Sequence, residues 1–134
     1  MNYFKDFTFN NYFFKLGLIT LLMVMVIQTC ADVFNWYYIF PHLDTPMHIF
    51  GGMLVGFFAL AYTPKAFNPF QKLIWVIAWV LIIGTCLEIV EWQMDARFQT
   101  VFQADIMDTF TDILHDFFGG ALAFATGYFS RRIN

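Results

Sequence analysis

Charge is what this sequence most lacks. Of its 134 residues only 13% are Asp, Glu, Lys or Arg, where a soluble domain carries roughly a quarter. Hydrophobic residues make up 60% and aromatics 22%, so water is not the main solvent of this chain. Basic residues are scarcer than acids, seven against ten, which leaves no cationic surface for a phosphate backbone and argues against nucleic acid as a partner. Cysteine is nearly absent: Cys30 and Cys86 stand far apart in apolar runs with no CxxC pair, indicating neither a zinc knuckle nor a disulfide framework. Also missing are HExxH, GxSxG and a nucleophilic Ser or Cys beside a histidine, which removes the familiar hydrolase signatures. No repeat of fixed period and no linker divides the chain, so residues 1–134 read as one domain.

What is present is a series of long apolar runs. A membrane-spanning helix needs about 20 mostly apolar residues, since lipid offers no hydrogen-bond partners and the helix must satisfy its own backbone. Four stretches qualify, at about 16–33, 45–62, 73–92 and 110–129. The first is too long, and lacks the small-residue cleavage site, for a removable signal peptide. Asp44-Thr45-Pro46 opens the second, with Asp or Thr as a cap and Pro in the first turn, and Pro64 closes it. Residues 1–14, aromatic and mixed in polarity, read either as a surface-lying segment or as a disordered terminus. The expected fold is an all-α membrane protein, four transmembrane helices in a compact bundle.

The few positive charges orient it. Lys5 and Lys15 precede the first helix, Lys65 and Lys72 bracket the second connection, and Arg131 and Arg132 follow the last, with Arg97 alone on the other side. The positive-inside rule then places both termini in the cytoplasm, in a multi-pass protein of the inner membrane. The same topology sends nine of the ten acids, all but Asp6, to the outer face, together with His42, His48 and His115.

Several of these acids are written into the helices. Asp44 and His48 are four apart, Glu88 and Glu91 three apart, and Asp108, Asp112 and Asp116 successively four apart, so each set lies on one helical face. The second and fourth helices enter from outside and the third leaves there, so the three faces can meet at one depth. Gly52 and Gly56, Gly84, and Gly119, Ala123 and Gly127 extend the stripes, and small residues let helices approach closely. Ionisable groups at membrane depth are costly and mark functional sites. Like charges at close range cannot all stay ionised without a cation or protons taken up. Three readings stay open: a divalent metal site, a protonated hydrogen-bonded cluster, or helix-terminal capping and solvation. In the first, His48, Glu88, Glu91, Asp112, Asp116, Asp44 and His115 are the candidate ligands, and imidazole with carboxylates suits Zn, Fe or Mn. Asp108 reads equally as a capping acid or a ligand-binding group, and Arg97 as a clamp for an anionic substrate.

The pattern Asp44-x3-His48-x2-Gly51-Gly52, then Glu88-x2-Glu91, then Asp108-x3-Asp112-x3-Asp116-x2-Gly119-Gly120 resembles the small polytopic VanZ-like and YjdF-like membrane proteins of bacteria, over about residues 42–127. Glu91 stands where VanZ itself commonly has Gln, and His115-Asp116 where an Asn often precedes the glycine, which favours the YjdF-like branch. The resemblance implies a fold and a set of residues more than a reaction.

Three function classes follow. One is a metal-dependent activity on a lipid or envelope-derived ligand at the outer leaflet, with a carboxylate as general base and a metal that activates water or polarises phosphate. The second is a non-enzymatic binding or envelope-protection protein. The third is a proton- or ion-coupled transporter, for which a chain this short would need to form a homodimer.

Overall fold

The computed structural model describes residues 7–98 and 106–130. Lys5, Asp6, Asp105, Arg131 and Arg132, used above in the charge argument, lie outside the described residues. The element order is β1 (Phe7–Phe9), α1 (Asn11–Val33), α2 (Trp36–Ile39), α3 (Asp44–Ala61), β2 (Tyr62–Pro64), α4 (Pro69–Phe98) and α5 (Ile106–Phe129).

Local chemistry accounts for the helix ends. Asn10 caps α1, its side chain accepting from the Tyr12 backbone N–H at 3.1 Å, so the helix starts five residues earlier than its apolar run. Asn35 turns the chain after α1 in the left-handed region at φ 53°, a conformation that asparagine tolerates better than most residues. Neither Asp44 nor Thr45 caps α3 as expected. The capping position is Leu43, without a side-chain bond, and Asp44 already belongs to the first turn, where its charge complements the helix dipole. At α4 the Gln71 N–H donates to Asn68 Oδ1 and the Asn68 N–H to Gln71 Oε1, both at 2.9 Å. This reciprocal box, with Pro69 as first helical residue, starts α4 four residues before the expected position.

The described part of the segment expected to lie on the surface or be disordered instead forms a strand and the first turn of α1. Phe7–Phe9 pairs antiparallel with Tyr62–Pro64, Thr8 opposite Thr63, and the Asn10 N–H donates to the Ala61 carbonyl at 2.9 Å. This short ladder ties the start of α1 to the end of α3. The apolar core lies toward the same end, where Phe13, Phe57, Leu60, Val76, Val80 and Ala123 are buried.

Among the described residues three helices, α1, α3 and α4, are long and apolar enough to cross a bilayer. Their outward surface is correspondingly apolar: Ile19, Leu22 and Val26 on α1 and Ile82, Leu87 and Val90 on α4 are all exposed. A soluble monomer rarely shows a contiguous apolar patch beyond a few hundred Å². The fourth expected span falls within α5, 24 residues long with aspartates on its first three turns.

α3 and α5 are the closest-packed pair, and glycine makes this possible. A Cβ on Gly52 would strike the backbone carbonyl of Asp116, and one on Gly119 the carbonyl of Ile49. Further along, a Cβ on Gly56 would lie 2.8 Å from the Ala123 methyl. The two backbones thus touch along a seam of small residues.

Candidate functional site

The seam delivers α5's aspartates to α3. His48, one turn into α3, faces Asp112 and Asp116 across the glycine contact as well as Asp44 on its own helix. Its Nε2 lies 3.6 Å from Asp44 Oδ2 and 3.9 Å from Asp112 Oδ1, while its Nδ1 lies 3.4 Å from Asp116 Oδ1. The imidazole therefore sits among three carboxylates. α4 closes the group with Glu88 and Glu91. The donor atoms of Asp44, His48 and Asp112 lie within 4.8 Å of one another, and so do those of His48, Glu88 and Glu91. His48 belongs to both sets. The sequence spacing had placed each pair on one face, and the packing of the three helices brings the faces together.

Burial grades the cluster. Glu88, Asp112 and Asp116 are 3%, 5% and 5% exposed, whereas Asp44, at the mouth, keeps 46% of its side chain accessible. Asp116 is the deepest aspartate of the α5 stripe. Its Oδ2 points at Gly84 of α4, where any Cβ would overlap it, and this buried oxygen has no hydrogen-bond partner. Gly84 is thus the space into which the carboxylate fits. His115 flanks the group, its Nδ1 3.7 Å from Asp112 Oδ1 and without a hydrogen-bond partner.

The separations have chemical content. At 3.6 and 3.9 Å the His48 Nε2 contacts are longer than hydrogen bonds, which for N–H···O run about 2.7–3.2 Å. Two donor atoms that share one ion, each about 2.0–2.2 Å from it, stand between about 3.3 Å and 4.4 Å apart. The two Nε2 separations fall in that range, and the Asp44 and Asp112 donor atoms lie within 4.8 Å of each other. Asp116 faces the other ring nitrogen, Nδ1, at 3.4 Å, a position from which a carboxylate can orient an imidazole.

Two sequence candidates stand apart. Arg97 is exposed on the last turn of α4, and Asp108 is half-buried on the first turn of α5, where its backbone carbonyl accepts from Thr111 Oγ1 at 2.8 Å. Neither is among the residues grouped around His48. Gln28 and Asp32 on α1 engage each other and the loop: Gln28 Nε2 donates to Asp32 Oδ1 at 3.0 Å, and Tyr37 OH donates to Gln28 Oε1 at 2.7 Å. Burial raises the Tyr37 pKa above the ordinary tyrosine value, and the negative charges of Asp44, Asp32 and Glu91 push the same way against the Gln28 hydrogen bond. Tyr37 therefore stands near the cluster's mouth. In sequence its aromatic run, Trp36-Tyr37-Tyr38, suits a membrane interface, and the turn at Asn35 that aims it leaves no periodic trace.

The sequence profile of a family described as "predicted membrane protein (DUF2238)" matches residues 4–133. The chain belongs to that family. No curated protein and no solved structure matches it. Membership establishes a small membrane protein, in agreement with the apolar helices. It does not by itself join this DUF2238 chain to the VanZ-like or YjdF-like proteins.

Proposed function

We propose that this DUF2238 protein binds a divalent metal ion at the acidic end of a four-span bundle. His48 Nε2, Asp44 and Asp112 form the primary donor set, Glu88 and Glu91 a second set around the same histidine, and Asp116 the group that orients the imidazole. The observation that carries this reading is the pair of His48 Nε2 separations, 3.6 and 3.9 Å to two carboxylate oxygens, long for hydrogen bonds and suited to shared coordination. Histidine with carboxylates favours Zn, Fe or Mn.

In this reading α5 is the fourth span, both termini are cytoplasmic in a bacterial inner membrane, and the cluster opens outward. Its 24 residues would extend about 36 Å, enough to cross the hydrocarbon core, with its acids turned to α3 and α4 rather than to lipid. The role is envelope- or lipid-related, in keeping with the likeness to VanZ-like proteins in the residues around Asp44, His48, Glu88 and Asp112. Arg97, exposed on the last turn of α4 and apart from the cluster, is the group that would hold an anionic ligand.

One observation favours a second reading, proton- or ion-coupled transport: the partnerless Oδ2 of buried Asp116 also suits a carboxyl that holds a proton. Elemental analysis of protein purified without chelator decides first. Stoichiometric metal, lost in His48→Ala and Asp112→Asn while circular dichroism stays helical, is the expected result. Metal-free wild type, or metal kept in both variants, overturns the metal reading, and proton flux in liposomes then tests the second.

A further inference from the structure

At the opposite end of the bundle α3 and α4 line an apolar groove of about 830 Å³, within the size range of ligand pockets, roughly 300–1,000 Å³. Leu54 and Phe58 form one wall, Trp75 and Trp79 the other, and Phe9 and Tyr62 stand at its end. The wall is set by contacts rather than left to rotate. Trp75 Nε1 donates to the Ala59 carbonyl at 3.1 Å, its ring meets Trp79 edge-on at 5.6 Å between centroids, and Phe67 braces its other side at 5.9 Å. With the indole N–H satisfied, the groove offers an occupant little but apolar surface.

Length and charge select the occupant. From Trp75 to Ile83, both lining residues, the groove follows α4 for roughly 12 Å at 1.5 Å per residue. That approaches the half-thickness of the hydrocarbon core, about 15 Å, and so matches the acyl region of one leaflet. Lys72, Trp75, Trp79 and Ile83 are spaced three, four and four, one face of the helix, so Lys72 stands one turn beyond the groove's aromatic end. Lys65 follows β2 at the same end and is exposed. Among the described residues this end carries Lys15, Lys65 and Lys72, and the charge pattern assigns six basic residues to this side against the single acid Asp6. Basic groups beside a cleft between membrane helices suit an anionic head group.

We propose that this groove holds an acyl chain of an anionic phospholipid drawn from the surrounding leaflet, with its head group at Lys65 and Lys72. The site is separate from the His48 cluster and stands whether or not that cluster binds metal.

The test uses the full chain with Trp36→Phe and Trp92→Phe, which leaves Trp75 and Trp79 as the fluorophores, reconstituted in vesicles of mixed phosphatidylglycerol and phosphatidylcholine. Either lipid is brominated on its acyl chains in turn, at equal mole fraction. Brominated phosphatidylglycerol should quench more strongly, with an apparent preference of about fivefold for each lysine engaged, and Lys65→Gln with Lys72→Gln should bring the two lipids to parity. Equal quenching in the parent, stronger quenching by phosphatidylcholine, or a preference that survives both lysine substitutions overturns the proposal. So does weak quenching by both lipids, which would place a second copy or a protein partner in the groove. Native mass spectrometry of the unsubstituted protein, expected to retain phosphatidylglycerol over phosphatidylcholine, checks the same preference without tryptophan changes.

Discussion

A carboxylate 3.4 Å from His48 Nδ1 decides which ring nitrogen faces Asp44 and Asp112. Asp116→Asn keeps the shape and removes the charge that orients the ring. In the metal reading it should weaken affinity about 10- to 100-fold, seen by competition with a fluorescent chelator, while the His48→Ala variant loses the metal outright. Gly84→Ala should give a similar loss, because the new methyl occupies the space of Asp116 Oδ2. Tyr37 gives a pH prediction of known sign. Burial raises its pKa in the folded state, so the unfolded chain releases the phenolic proton first. Its contribution is intact below the unfolded value of about 10 and is lost as pH rises through the folded value. Thermal melts in detergent at alkaline pH should fall less steeply for Tyr37→Phe than for wild type. The donors of the cluster were legible because helical spacing of three and four is a strong signal in apolar runs with few charges. Which nitrogen of His48 each acid faces was not. Asp116 reads as one more ligand by spacing, and only the approach of α5 to α3 shows it on Nδ1, behind the histidine.

Among the elements, α3 and α5 depend most on what is missing from their side chains. Gly52 and Gly119 each face a backbone carbonyl of the partner helix, whereas a Cβ on Gly51 would meet Asp116 Oδ1 at an ordinary 3.6 Å. Gly52→Ala and Gly119→Ala must push the helices apart and should cost about 1–3 kcal/mol by overpacking. Gly51→Ala should leave the melting temperature in detergent near that of wild type. If all three behave alike, the seam is not where α3 meets α5. The small-residue stripes made a close approach of the three helices readable in advance, though not that α3 and α5 would be the pair in backbone contact. The β1–β2 ladder was not readable, since three-residue strands such as Phe7-Thr8-Phe9 and Tyr62-Thr63-Pro64 are too short to show a period. Helix starts were misplaced for a related reason: Asn10 and the Asn68–Gln71 box lie outside the apolar runs that marked the helices.

For the molecule as a whole, lysines gather at one end and carboxylates at the other. With Cys30 and Cys86 replaced by Ala, single cysteines at Lys65 and at His42 should react with a membrane-impermeant maleimide from opposite sides of intact cells. His42 should label from outside, and Lys65 only after the membrane is opened. Labelling of both from one side would refute the proposed topology. The same polarity has a consequence for how the protein is made. α3 and α4 are synthesised before α5, so for a time His48, Glu88 and Glu91 stand in the membrane without Asp112 and Asp116 and without the helix that covers them. The nascent bundle can already form the β1–β2 ladder, but it lacks both the α5 residues that complete the apolar core, such as Ala123, and the aspartates that complete the polar end. Completion of the polar site therefore coincides with closure of the fold, and a chain halted before α5 would leave Glu88, buried in the finished protein, without the helix that covers it.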